Sequence, residues 1–272
     1  MTEAEREIYE RGIEILRTGS DDFDVDYLYK FEHTERCIEV PWFASRLNKY
    51  NIESLLDVGF TFASHDYLRL ILDWGGGGHK LVGTDIINPL KVQKRYPEEW
   101  WEEINNTTVY INDILNKPIA GELNDAVSLI STMEHIGFDR PSITLTQSAF
   151  ERSENIESVI KTRDVGTEKK VLDNVANMLK NGGFCFISVP AGKGGATLNK
   201  DSMGLYGCYW EYDEISWKKI IGHDKFVCLE QNFFIENNKK WEEVDGIARL
   251  KDVTANMKNY AAGLAVAVLQ KK

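Results

Sequence analysis

Ile52-Glu53-Ser54-Leu55-Leu56-Asp57-Val58-Gly59-Phe60-Thr61-Phe62-Ala63-Ser64-His65-Asp66-Tyr67-Leu68-Arg69-Leu70-Ile71-Leu72 is the stretch around which the rest of the chain is organised. Residues 54–58 form a short apolar run broken by one carboxylate. Gly59 follows, and then Tyr67, Leu68, Leu70 and Ile71 recur at helical spacing, which reads as strand, tight turn, helix. That succession opens a nucleotide-binding α/β unit: Asp57 closes the strand, and Gly59 lets the backbone turn sharply beside a ligand. Thr61 and Ala63 are small where such loops often carry further glycines. Taken alone, an ordinary βα turn with a chance Asp-x-Gly fits the same residues.

Outward from this unit the pattern repeats. Gly75 to Gly78 stop the helix, and residues 80–85 read as a second buried strand ending in Asp85. Asp85 lies about as far beyond Gly59, roughly 20 residues or a little more, as a ribose-binding acid in a nucleotide fold. An ionised carboxylate accepts two hydroxyl hydrogen bonds, which is what a ribose diol offers, but a strand-end Asp is also a common helix cap. Residues 96–104 suit a short amphipathic helix, and residues 107–111 a third strand that ends at Asn112-Asp113-Ile114. A fourth strand, 125–130, delivers Ser131-Thr132-Met133-Glu134-His135-Ile136-Gly137 to its carboxyl edge, where open parallel sheets bind ligands. Glu134 and His135 are therefore placed for chemistry, or else cap a helix.

The flanks complete the reading. Residues 2–17 carry a helical pattern, and Pro41 is expected to open a second helix running through Leu47, with Arg36, Glu39 and Trp42 either facing a ligand or, for the aromatic, filling the core. Residues 139–166 are polar, weakly periodic and longer than an ordinary connection, and read as an inserted lid. A helix over 168–180 ends at Asn181-Gly182-Gly183, and a fifth strand over 184–189 stops at Pro190. Ala191-Gly192-Lys193-Gly194-Gly195 resembles a phosphate loop in composition but lacks P-loop spacing, so a flexible active-site loop is expected there. A short helix over 212–221, hairpin strands over 226–235 and 241–244, and a last strand over 264–269 follow without intervening helices, which points to an antiparallel addition to a parallel sheet.

Composition narrows the function. The 272 residues are 43% hydrophobic, enough for a sizeable core, and the formal net charge of −11 offers no general attraction to nucleic acid or anionic lipid. No apolar run is long enough to span a bilayer, and the charged N-terminus does not resemble a secretory signal, so a cytoplasmic protein without nucleic-acid or membrane partners is expected. Cys37, Cys185, Cys208 and Cys228 are scattered and lack C-x-x-C spacing, which fits reduced thiols and no metal site.

In order, Leu55-Leu56-Asp57-Val58-Gly59, Thr84-Asp85, Asn112-Asp113-Ile114, residues 131–137 and Leu179-Lys180-Asn181-Gly182-Gly183 resemble the motif series of class I S-adenosylmethionine-dependent methyltransferases over roughly residues 38–270. Within that superfamily, Ile38-Glu39-Val40-Pro41-Trp42, Met133-Glu134-His135-Ile136-Gly137 and Ser188-Val189-Pro190-Ala191-Gly192-Lys193 resemble methyltransferase-like proteins of bacterial cell-surface polysaccharide and glycan clusters. The resemblance implies a Rossmann-like methyltransferase fold of the α/β class, with a mostly parallel sheet and an antiparallel C-terminal strand. Residues 1–50 would be an N-terminal helical extension, and residues 51–272 the Rossmann-like domain. It also implies S-adenosyl-L-methionine as cofactor. The loop at Asp57 and Gly59 would hold the methionine end, Asp85 the ribose, and Asp113 with Ile114 the adenine, with Phe60, Thr61 and Ser131 completing the set. Arg36, Glu39, Trp42 and Lys193 would meet the acceptor. The sequence departs from the family where later loop glycines give way to Phe60, Thr61, Phe62 and Ala63.

The resulting expectation is methyl transfer to a small or sugar-like acceptor, at oxygen, with His135 as base and Glu134 as its orienter or an alternate base. Two other readings compete. One is a non-catalytic binding or scaffold protein whose site is blocked by Phe60 or Phe62. The other is an NAD-dependent oxidoreductase, against which the missing G-x-G-x-x-G counts.

Overall fold

The computed structural model describes residues 1–23, 34–138, 163, 166–200, 206–238, 240–253 and 261–272. The expected lid at 139–166 lies outside the described residues except for Arg163 and Gly166. Six α-helices are described: α1 (Glu3–Thr18), α2 (Arg36–Lys49), α3 (His65–Gly76), α4 (Trp101–Asn106), α5 (Thr167–Met178) and α6 (Glu214–Ile221). The strands are β1 (Ser54–Val58), β2 (Lys80–Asp85), β3 (Thr108–Ile111), β4 (Asn124–Ile130), β5 (Leu179–Pro190), β6 (Gly195–Lys200), β7 (Tyr206–Glu211), β8 (Phe226–Asn237), β9 (Lys240–Val244) and β10 (Gly263–Lys271).

Eight strands form one sheet in the order β3-β2-β1-β4-β5-β10-β8-β9. The first five are parallel, from Asp85 beside Ile111 at one side to Ile130 beside Ser188 at the other. This is the doubly wound order 3-2-1-4-5, in which the sheet grows outward in both directions from β1 and β4 and leaves a crevice where the order reverses. β10 inserts antiparallel between β5 and β8, and β8 returns as a hairpin with β9. The Rossmann-like architecture and the antiparallel C-terminal strand are thus as the sequence implies.

Alternation along each strand explains the layering, because neighbouring side chains point to opposite sheet faces. Leu55, Ala126, Phe186 and Val266 join the core under α1, α2 and α3, whereas Leu56, Val127, Cys185, Ile187 and Ala267 join the core that includes Val171, Val175 and Trp217 of α5 and α6. Both faces are covered, so the central strands carry apolar residues pointing both ways. α1 and α2 are therefore part of the layer that seals one face.

Three expectations are corrected. α2 begins at Arg36, not at Pro41: the Arg36 amide donates to Thr34 Oγ1 (3.2 Å) and the Cys37 amide to the Thr34 carbonyl (3.1 Å), which starts the helix a turn and a half early. Pro41 sits inside the helix, where its ring removes one backbone donor. α5 stops at Met178, and Leu179 is already extended, so Asn181-Gly182-Gly183 lies within β5; there Gly182 takes φ +74° and its carbonyl accepts from Gln270 Nε2 (3.1 Å). Residues 191–195 are not a loose loop. The Ala191, Gly192 and Lys193 amides donate to Gly263, Tyr212 and Val253 carbonyls at 2.8–3.0 Å, and the segment leads into the β6–β7 hairpin, which the sequence pattern did not show.

Candidate active site

The carboxyl ends of β1, β2, β3 and β4 meet at one cavity of ≈ 410 Å³. Asp57, Gly59, Asp85, Asp113, Ile114, Ser131, His135 and Arg36 all line it. Eight of the residues singled out in the sequence are therefore brought together.

The β1 end is built around a buried carboxylate. Asp57 Oδ1 accepts from Tyr67 Oη (2.7 Å) and Ser128 Oγ (2.6 Å), while its Oδ2, enclosed, has no donor. Burial raises this carboxyl from its ordinary range to about 7, against the lowering effect of the two hydroxyls. Gly59 turns the chain at φ +91°, and a Cβ there would stand 2.5 Å from Thr132 Oγ1, so glycine is required twice over.

The β2 and β3 ends are finished differently. Asp85 accepts from the Thr61 amide through Oδ2 (2.9 Å) and from the Ile87 amide through Oδ1 (3.1 Å). Thr61 Oγ1 in turn donates to the Ile87 carbonyl (2.7 Å), which stitches the loop after β1 to the loop after β2. Asp113 accepts from the Leu115 amide (3.0 Å) and Asn116 Nδ2 (2.6 Å), with Ile114 buried beside it.

At the β4 end Ser131 holds φ +43°, an uncommon conformation for a side chain with a Cβ. Its amide donates to the Ser188 carbonyl and hydroxyl, and its own hydroxyl donates to Glu39 Oε1 (2.7 Å). Glu39 reaches here from α2, fully buried. It also accepts from Ser188 Oγ (2.6 Å) and, through Oε2, from the Arg36 guanidinium (2.6 Å). Burial opposes the charge on Arg36, but Glu39, Glu35, Asp66 and Glu134 together outweigh it and hold the guanidinium firmly protonated. Glu134 lies beneath His135, 2% exposed, its Oε1 3.9 Å from His135 Nε2 and its Oε2 without a donor. Burial pushes its carboxyl up to about 7, with His135 lowering and Glu39 raising it. His135 itself is 41% exposed and stands edge-on to Tyr209 of β7 (centroids 6.3 Å apart).

Several sequence expectations do not hold at the level of side chains. Phe60 does not touch the cavity: its ring is fully buried and covers Gly83, where a Cβ would collide with it. Trp42 is fully buried, edge-on to Phe186, and is core. Lys193 is exposed and does not line the cavity. Thr61, Glu39 and Glu134 act from behind the wall. The sequence reading missed Tyr67 and Ser128, which anchor Asp57, and Ser188, which anchors Glu39. Helical register from Gly59 could have flagged Tyr67, but Ser128 and Ser188 look like any small core residue until β4 is laid between β1 and β5. Arg163 was also missed: it donates to the Met133, Glu134 and Ile136 carbonyls (2.7–3.1 Å) and pairs with Glu168 (2.7 Å), fixing the His135 turn.

Among the described residues, Asp173, His223 and Asp224 are spaced as metal ligands, but Lys225 and Lys169 already hold Asp173 at 2.8 and 3.0 Å, and none of the three lines the cavity. No described helix is long and apolar enough to cross a membrane. Cys37 and Cys185 are buried free thiols, and Cys228 is a half-buried one.

No protein-family model matches the sequence, and no curated protein matches it. Solved structures are similar at low identity. A methyltransferase dependent on S-adenosylmethionine from Methanosarcina mazei is 12% identical, with 83% of this chain and 96% of that one covered and a TM-score of 0.49. The 1,6-didemethyltoxoflavin-N1-methyltransferase of Burkholderia thailandensis, with 1,6-didemethyltoxoflavin and S-adenosylhomocysteine bound, is 12% identical over 100% of this chain and 91% of its own, at a TM-score of 0.48. The N-methyltransferase NodS of Bradyrhizobium japonicum, with S-adenosylhomocysteine, is 11% identical over 96% and 98%, at 0.43. Likeness this distant carries no substrate or chemistry across, and the fold assignment rests on the strand order itself.

Proposed function

We propose that this chain is an enzyme that transfers the methyl group of S-adenosylmethionine to a small or sugar-like acceptor. The observation that carries the reading is the cavity at the switch point of the sheet, lined at once by Asp57, Gly59, Asp85, Asp113, Ile114, Ser131 and Arg36. The residues fit the cofactor. Asp85 is a carboxylate at a strand end on the cavity wall, the kind of acceptor a ribose diol needs, and Ile114 gives an apolar surface of the kind a base needs. Asp57 Oδ2 is a buried acceptor in want of a donor, and Arg36 is a cation for a carboxylate. When bound, S-adenosylmethionine supplies an activated sulfonium methyl, which leaves the protein chiefly the work of positioning.

Within that work His135 faces the cavity as the group able to take a proton from an acceptor, which favours oxygen as the methylated atom, and Glu134 and Arg163 fix the turn that presents it. The resemblance to proteins of cell-surface polysaccharide and glycan clusters, carried by residues 38–42, 133–137 and 188–193, makes the acceptor sugar-like. A blocked, non-catalytic site is disfavoured: Phe60 turns into the core, and Phe62 stands at the rim of a cavity that stays open. Titration calorimetry tests the reading. Binding of S-adenosylmethionine and S-adenosylhomocysteine without NAD binding supports it, and NAD binding without S-adenosylhomocysteine binding overturns it.

A further inference from the structure

Arg36 and Ser131 both line the cavity, come from distant parts of the chain, and are held by one carboxylate that lies behind the wall. That carboxylate is Glu39 of α2, fully buried. Its Oε1 accepts from Ser131 Oγ (2.7 Å) and from Ser188 Oγ of β5 (2.6 Å), and its Oε2 accepts from Arg36 Nη1 (2.6 Å). Both oxygens are engaged, so Glu39 is finished as an acceptor and has nothing left for a ligand. Arg36 is different. Among the described residues its guanidinium donates only to Glu39, and it stands in the cavity wall. A guanidinium is a planar fork of N–H groups, so tying one nitrogen inward leaves the rest of the fork to receive a carboxylate from the cavity side.

The direction of that fork is contested. Glu35, Asp66 and Glu134 also attract the guanidinium, and Glu35 Oε2 and Glu134 Oε2 are enclosed acceptors without donors. An arginine is long and flexible, so without the bond to Glu39 these three carboxylates would draw it back from the wall. Ser131 depends on the same anchor, since its φ of +43° is uncommon for a residue with a Cβ and its hydroxyl is spent on Glu39. Asp57 lines the same cavity and feels the charge of Arg36, so a cation and a carboxylate stand together there, the complement of an α-amino acid zwitterion. We infer that Glu39 is a positioning residue: it holds the Arg36 fork and Ser131 in the wall so that the site recognises the amino-acid end of S-adenosylmethionine. This inference rests on the methyl-transfer reading and deepens it, by giving α2, which precedes the nucleotide-binding unit, a part in selecting the cofactor.

The experiment titrates two ligands into the full chain by calorimetry, S-adenosylhomocysteine and 5′-methylthioadenosine, which keeps the adenosine and the sulfur but lacks the amino-acid end. S-adenosylhomocysteine is measured on wild type first, and its failure to bind there strikes the methyl-transfer reading instead. Glu39→Gln is expected to bind S-adenosylhomocysteine roughly tenfold more weakly and methylthioadenosine within about twofold of wild type. In an Arg36→Ala background, adding Glu39→Gln should weaken S-adenosylhomocysteine by about twofold or less, because the group that Glu39 positions is already gone. A purely structural Glu39 would weaken both ligands alike and would add its full effect to Arg36→Ala, and either result overturns the inference. So does unchanged or tighter binding of S-adenosylhomocysteine by Glu39→Gln, which would make Glu39 only a counter-charge. If methylthioadenosine binds too weakly to titrate, the comparison with Arg36→Ala decides. If Glu39→Gln does not fold, Ser188→Ala decides, since it takes one donor from Glu39 outside the cavity wall. It should weaken S-adenosylhomocysteine about threefold and leave methylthioadenosine unchanged, and an equal effect on both, or none, overturns the inference.

Discussion

The two ends of the cavity are built from the same kind of residue and are in opposite states. At the β2 and β3 end, both oxygens of Asp85 are engaged, by the Thr61 and Ile87 amides, and both of Asp113, by the Leu115 amide and the Asn116 side chain. At the β1 and β4 end, Asp57 in the cavity wall and Glu134 and Glu35 behind that wall each keep an enclosed oxygen with no donor. A carboxylate satisfied by its neighbours is finished on folding and presents remaining lone pairs in a fixed direction. A buried one left short is costly until something arrives to complete it. The first end is thus a preformed cradle. The second is an incomplete one, and an incomplete site is where binding energy can be tied to the arrival of the right ligand.

The largest test of that contrast is His135→Ala. If the incomplete end is where chemistry occurs, turnover on an accepted substrate should fall by about 10²–10⁴ in kcat, with S-adenosylhomocysteine affinity nearly unchanged. Full turnover in the variant would leave positioning alone to carry the reaction. Next in size is Asp85→Ala at the preformed end. It removes the proposed ribose acceptor and frees the Thr61 and Ile87 amides, so S-adenosylhomocysteine should bind about 10- to 100-fold more weakly by calorimetry. Unchanged affinity would take Asp85 out of the site.

Gly59→Ala addresses the hinge between the ends. The substitution places a Cβ against Thr132 in a left-handed backbone, and the expected cost is about 1–3 kcal/mol, read as a lower Tm and weaker S-adenosylhomocysteine binding together. A drop in Tm with ligand affinity intact would show that the Gly59 turn serves folding only.

The same contrast explains what the sequence made legible. Strand ends with carboxylates and a glycine turn are local patterns, so Asp57, Gly59, Asp85, Asp113 and the parallel order could be read from spacing, and Asp85 and Asp113 line the preformed end of the cavity. The other end depends on partners far apart in the chain. Glu39 meets Ser131 and Ser188 only because α2 packs over the ends of β4 and β5, and Arg163 reaches the His135 turn from beyond residue 138. Phe60 and Trp42 could not be placed between site and core for a related reason: proximity to a motif in sequence does not say which way a ring turns. A bulky ring opposite Gly83 fills space that glycine leaves, which no pattern in the loop itself reveals.

The smallest expected effect is also the most direct reading of incompleteness. Burial raises the carboxyls of Asp57 and Glu134 from the ordinary range to about 7. Arg36 lowers both. Asp85 adds to the rise at Asp57, and at Glu134 His135 opposes it while Glu39 supports it. Each group therefore keeps its proton in the folded chain over a range where the unfolded chain has lost it. Stability from this source is full below about pH 4 and is lost as the pH climbs through about 7. Chemical unfolding at pH 5 and pH 8 should show wild type losing on the order of 1 kcal/mol per group over that interval. Glu134→Gln, which cannot ionise, should lose less. If the wild-type and Glu134→Gln slopes coincide, Glu134 is not held protonated by burial, and the two ends of the cavity do not differ in the way their hydrogen bonds indicate.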